Sequence, residues 1–158
     1  MFKKILIANR GEIAVRIIRA CKELNIPTVA IHSDVDSESM HVRLAEESIC
    51  IGSHKPQNSY LNIAAIMSAV DITGADAIHP GYGFLSERAS FAAAVNDASL
   101  IWIGPSVRAI EEMGDKITAR RVMAAAGVPI IPGEEMQMKD EHSEMVDDLV
   151  RAATRTGY

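Results

Sequence analysis

Short apolar runs alternate with amphipathic stretches through the first hundred or so residues. KILIA (4–8), TVAIHS (28–33), SICIG (48–52), AIHP (77–80) and LIWIG (100–104) each read as a strand. Between them, apolar spacing predicts helices over 11–25, around 42–46, over 61–72 and over 87–98. Strands this short and apolar, each followed by a helix, predict an α/β fold in which helices cover both faces of a parallel sheet. No strand looks polar enough for an exposed edge.

The first helix shows the pattern in detail. Ile13, Ile17, Cys21 and Leu24 form an apolar stripe, widened by Ala14 and Ile18. Glu12, Arg16, Arg19 and Glu23 share another face. Asn25 suits a left-handed exit and Pro27 bars continuation. A charged row of this kind reads first as a solvated face. Its acid–base–base–acid order also suits pairing with its own copy across a two-fold axis.

Beyond residue 112 the pattern changes. MGDKITARRVMAAAG predicts a turn and a helix, VPIIPG an extended piece, and HSEMVDDLVRAATRTGY a last helix. Met145, Val146, Leu149, Val150 and Ala153 would form its apolar face, with Gly157 as its stop. So short a segment cannot hold an independent core without staples. The expected division is therefore a domain over 1–112 and the opening of a second domain over 113–158. A connector that packs back on the first domain is the alternative.

Composition narrows the class. Aromatic residues make up only 4% of the chain, so aliphatic side chains must fill the core. The net charge of −5 comes with no basic stripe, which argues against a nucleic-acid surface. No segment approaches membrane-spanning length, and the apolar run after MFKK is too short for a signal peptide. Cys21 and Cys50 lack partner spacing and read as buried free thiols in a reducing compartment, with a metal pair or a disulfide as the alternative. A cytoplasmic location is expected.

In open parallel sheets ligands gather outside the carboxyl ends of the strands. Those ends carry ANRGE, HSDVDSE, HPGYGFLSE and IGPS. The first invites comparison with the dinucleotide fingerprint of a Rossmann-like sheet: Gly11 and Ala14 fit, and Asp34 and Asp36 lie where a ribose-binding acid would fall. Asn9 in place of the first glycine, and Glu12 near an incoming pyrophosphate, count against it. In MGDK, Asp115 suits a helix N-cap; Lys116 at the helix start reads from these four residues first as a solvated surface lysine, and would become favourable there beside an anion. In HPGYGFLSE, Pro80 and the glycines allow a sharp turn and Ser86 could cap the next helix. Tyr82 between two glycines offers a platform for a flat ligand. His79 could be a base, or a hydrogen-bonded structural residue.

Taken together, KILIANRGEIAVRIIRACKELNI, SYLNIAAI, AIHPGYGFLSE, IWIGP and MGDK resemble the N-terminal part of biotin carboxylase, in one order over essentially the first 133 residues. The resemblance implies a Rossmann-like pre-ATP-grasp domain followed by the start of an ATP-grasp domain. It also implies an enzyme that uses MgATP to activate bicarbonate and then carboxylates biotin on a carrier protein or domain, for a carboxyltransferase partner. On matching positions, Lys116 would contact ATP phosphate and Tyr82 and Gly83 would border the biotin pocket. Arg16, Arg19 and Glu23 would lie at a homodimer interface. The family's glycine-rich lid, Mg2+-binding glutamates and bicarbonate-clamping arginine have no match here, so these 158 residues alone are expected to be inactive. The alternatives are an NAD-dependent oxidoreductase domain and a non-catalytic dimerisation or docking module.

Overall fold

The computed structural model describes residues 2–131, 146, 149–154 and 157. The elements run β1 (Ile5–Ile7), α1 (Gly11–Glu23), β2 (Thr28–His32), α2 (Met40–Leu44), β3 (Glu47–Cys50), α3 (Ile63–Thr73), β4 (Ala77–His79), α4 (Ala89–Asp97), β5 (Ile101–Trp102), α5 (Val107–Gly114) and α6 (Lys116–Ala125). The five strands form one parallel sheet in the order β3-β2-β1-β4-β5. Ile7 pairs with Ala30 on one side and His79 on the other. The direction of winding therefore reverses at β1, and the crevice between the carboxyl ends of β1 and β4 is the topological switch point.

Alternation along the strands fills two cores. Leu6, Ala8, Val29, Ile31 and Ile78 pack with Ile66 and Val70 of α3 and Phe91 and Val95 of α4. Ile5, Ile7 and Ala77 pack with Ala14, Ile17, Ile18 and Cys21 of α1. Leu6, Ile7 and Ile18 are fully buried, each worth about 1.5–3 kcal/mol relative to exposure. The expected α/β sheet with helices on both faces is the fold observed.

Several details differ from expectation. The sheet has two edges, and β3 is one of them: Glu47, Ser48 and Cys50 are exposed, so only Cys21 is a buried thiol. Leu24 does not join the α1 stripe, because the helix ends at Glu23 and Asn25 turns left-handed at φ 55°. The Ile26 N–H then closes on the Cys21 carbonyl at 2.9 Å, and Ile26 enters the core instead. α3 starts two residues late because the Asn62 side chain caps it, accepting from the Ala65 N–H. α4 starts at Ala89 after an extended Arg88, and Ser86 does not cap it; the Ser86 N–H instead donates to the Gly83 carbonyl within a turn. α5 was not expected. Ser106 Oγ accepts from the Ala109 N–H at its start, and only Ile110 is buried along it.

Two compact units result, 1–111 and 112–158. In the second, α6 begins at Lys116 under an Asp115 cap and buries none of its residues. Residues 128–131 have no regular secondary structure. Of the expected last helix, 146 and 149–154 are helical, while Met145 lies outside the described residues. Ala152 is its buried residue, not Val146, Leu149 or Val150. Gly157 has the left-handed φ of 95° that suits a helix stop.

Candidate functional site

The site is built where β1 and β4 end. Asn9, 2% exposed, lies two residues beyond the end of β1. Its Nδ2 donates to the carbonyls of Pro80 (2.7 Å) and Tyr82 (2.9 Å), and its Oδ1 accepts from the Arg10 N–H (2.9 Å). The loop it grips needs unusual backbone: Gly81 and Gly83 both have φ 67°, and Phe84 has φ 49°. A Cβ on Gly81 would lie 2.8 Å from Asn9 Nδ2, so glycine is required there for two reasons.

His79 supports the same loop from below. Its Nδ1 accepts from the Gly81 N–H at 3.0 Å, which places the ring proton on Nε2. Burial pushes its pKa down, in keeping with a neutral ring. Of the two readings of His79, the structural one fits.

The far end of the loop is held by aromatic packing. Phe84 stacks on Tyr60 with ring centroids 5.3 Å apart. The Arg10 guanidinium lies 5.5 Å from the Tyr60 ring centroid and 5.7 Å from that of Phe84. The buried Tyr60 hydroxyl donates to Asp36 Oδ2 (2.6 Å) and accepts from the Ser33 N–H (2.9 Å). Burial, then the bond to Asp36, pushes the Tyr60 pKa up to about 12. Burial works against the Asp36 carboxylate, but the Tyr60 and Ser33 hydroxyls and the Arg10 charge outweigh it and hold its pKa below the usual range. Asp36 is thus occupied within the fold.

Above this support lies an open cavity of about 380 Å³, bounded by residues 9–13 and 82–84. Tyr82 is 60% exposed on its wall, and its hydroxyl donates to Glu12 Oε2 at 3.3 Å. At Gly83 no atom lies within 4 Å of where a Cβ would stand, so the backbone is open to a ligand. An aromatic face beside an open glycine can receive a flat, partly apolar ring.

The other anticipated residues lie elsewhere. Arg16, Arg19 and Glu23 are exposed on α1, with Arg16 Nε 3.6 Å from Glu12 Oε1. Beside them an apolar recess of about 540 Å³ is lined by Phe2, Ile13, Ile17, Leu24 and Ile103, with Arg16 and Tyr82 at its border. Lys116 is exposed at the first position of α6, in the other unit. The Asp115 carboxylate accepts from the Thr118 N–H at 2.7 Å, and that bond lowers its pKa. Among the described residues no group of three or more His, Cys, Asp and Glu side chains could hold a metal ion. The residues that sequence reasoning missed are Asn9, Arg10 and Tyr60. The visible signal was Asn9 standing where a dinucleotide site has glycine.

A parallel sheet whose β1 and β4 loops meet at its switch point defines an α/β domain of Rossmann-like topology. Residues 1–110 match the family model for the biotin carboxylase N-terminal domain. The chain is 51% identical over all 158 residues to biotin carboxylase 1 of Bacillus subtilis, covering 34% of that protein. It is 50% identical over 157 residues, 99% of its length, to the mitochondrial propionyl-CoA carboxylase alpha chain of Rattus norvegicus, covering 21% of that chain. Among solved structures, the biotin carboxylase domain of Hydrogenobacter thermophilus 2-oxoglutarate carboxylase superposes with a TM-score of 0.89 at 47% identity, over 100% of this chain and 34% of that one. That domain was solved as a dimer in complex with MgADP, ADP and bicarbonate. The biotin carboxylase subunit of a pyruvate carboxylase superposes with a TM-score of 0.81 at 49% identity, over 100% of this chain and 34% of that one.

The chain belongs to the biotin carboxylase family. It spans about a third of the length of the biotin carboxylases it matches. The NAD-dependent oxidoreductase reading is thereby overturned, and the geometry gives the reason: the Asn9 amide and Asp36 are both committed to internal bonds.

Proposed function

We propose that this chain supplies the N-terminal part of an ATP-dependent biotin carboxylase, which activates bicarbonate with MgATP and carboxylates biotin on a carrier protein or domain. The observation that carries the reading is the Tyr82–Gly83 wall: an exposed ring beside open backbone, held on a rigid support at the switch point. Biotin, when bound, supplies the ureido nitrogen that accepts the carboxyl group. The work of this chain is to bind and orient its ring system, Tyr82 by its face and Gly83 by close approach of the backbone.

The second unit contributes to the nucleotide end. Lys116 sits where the N-terminal dipole of α6 and its own ammonium both favour phosphate oxygens. In this reading residues 1–112 are the pre-ATP-grasp domain and 113–158 open the ATP-grasp domain. Arg16, Arg19 and Glu23 would pair across a homodimer interface alongside the apolar recess of α1; the dimeric neighbour supports this. A carboxyltransferase would consume the product. The unpaired thiols suit a cytoplasmic setting.

Phosphoryl transfer needs several cations in register, and this chain offers Lys116 alone on the matching positions. The isolated 158 residues should therefore give no bicarbonate-dependent ATP hydrolysis. Exchanging them for the corresponding part of the Bacillus subtilis enzyme should give a chimera with biotin-dependent ATP hydrolysis. A folded chimera that fails to turn over would remove the proposal.

A further inference from the structure

The loop from Pro80 to Phe84 contains three residues with positive φ, one of them a phenylalanine. Such a segment has other conformations open to it, and of its own side chains Phe84 anchors only the far end, against Tyr60. Tyr82 is largely exposed, held only by its hydroxyl 3.3 Å from Glu12 Oε2, and the glycines have no side chain. The choice is made from a different strand end. The two N–H bonds of the Asn9 amide reach two carbonyls of the loop, Pro80 and Tyr82, on either side of Gly81. The Arg10 N–H bonded to Oδ1 fixes which way round the amide stands. Gly81 packs directly against the Asn9 side chain.

We infer that Asn9 is a positioning residue for the Tyr82–Gly83 wall: its side-chain amide selects the loop conformation in which the tyrosine face and the Gly83 backbone are presented together. This rests on the reading that the wall receives a ring ligand such as biotin. The amide does so from β1, the most interior strand of the sheet, so the wall inherits the rigidity of the core. An aspartate there would keep the shape and lose both donors, setting carboxylate oxygens against two carbonyls.

The test is native-state amide hydrogen exchange on the full 158-residue chain without any ligand. Asn9→Asp should accelerate exchange at Gly81, Ser86 and Arg88 by roughly ten-fold or more. The Ile51 and Ile103 amides, bonded in the sheet to His32 and Ile78, should stay within roughly two-fold. Gly81→Ala, which drives a Cβ onto the same amide, should reproduce this pattern with Asn9 retained. It carries the test if Asn9→Asp does not fold. The double variant should open the loop no further than either single change. Loop and sheet amides accelerating together, or neither changing, would overturn the inference by reducing Asn9 to an ordinary buried polar residue. Because no biotin is present, loop opening here combined with an unaltered biotin KM in a Tyr82→Ala chimera would retain the positioning role and discard the biotin reading.

Discussion

The helices of the two units are built on different principles. α1, in the first unit, buries Ala14, Val15, Ile17, Ile18 and Cys21 against the sheet. α6, in the second, buries none of its ten residues and begins on a side-chain cap. The difference teaches where each part of the proposed site draws its order. The Tyr82–Gly83 wall is braced by Asn9 beyond β1, His79 at the end of β4 and the buried Tyr60, so it is preformed. Lys116 stands on a helix whose start depends on one exposed carboxylate.

The sharpest way to break this comparison is to remove core from one unit and apolar surface from the other. Phe91 is fully buried and meets Trp102 edge-to-face, with centroids 5.4 Å apart. Phe91→Ala should cost about 3–5 kcal/mol in urea unfolding followed by circular dichroism. Ile117→Ala on α6, where the side chain is exposed, should stay within about 0.5 kcal/mol. Comparable losses at the two positions would show that the units share one source of stability.

A smaller effect is expected in the brace itself. Tyr60→Phe removes the hydroxyl between Asp36 and the Ser33 amide, leaving a buried N–H without its acceptor. The cost should be about 1–3 kcal/mol, and the Asp36 carboxyl should titrate higher in carbon-detected NMR. In the second unit, Asp115→Ala should show as loss of helicity over 116–125 while the sheet amides keep their protection. Loss of sheet protection with it would mean that α6 is not the locally ordered element its exposure indicates.

Much of this architecture was legible in the sequence because aliphatic periodicity and core burial are the same constraint. The apolar positions of KILIA and TVAIH, with Ile17, Ile18 and Cys21 of α1, are buried as their spacing predicts, and Asn25 announced its left-handed turn. Edges were not legible: SICIG is as apolar as its neighbours, and only pairing order makes it outermost. The Ser86 cap was a reasonable choice from residue type alone. It fails because the Gly83–Ser86 turn delays the helix to Ala89. In the site, Tyr82 and Gly83 could be singled out as odd, but Asn9 could not be joined to them. Its partners lie more than seventy residues away, and only the β1–β4 pairing brings them together.

The smallest effect is one of pH. Burial holds the pKa values of His79 and His41 below their ordinary 6.5. Stability from keeping these rings neutral is fully present above 6.5 and is lost as pH falls through the lower folded-state values. For His79 the loss should be local. A proton on Nδ1 removes the acceptor of the Gly81 N–H, so the Gly81 resonance should move in that window, while α6 amides stay fixed. A Gly81 shift centred above 6.5 would contradict the downward pull of burial on His79.

The most direct test of the division of labour is a comparison of Michaelis constants in the Bacillus subtilis chimera. Tyr82→Ala should raise KM for free biotin by roughly ten-fold, the value of one lost aromatic contact, and leave KM for ATP unchanged. Lys116→Gln should do the reverse. If Tyr82→Ala acts on ATP instead, or the two variants affect both substrates alike, the assignment of biotin to the first unit and phosphate to the second is wrong.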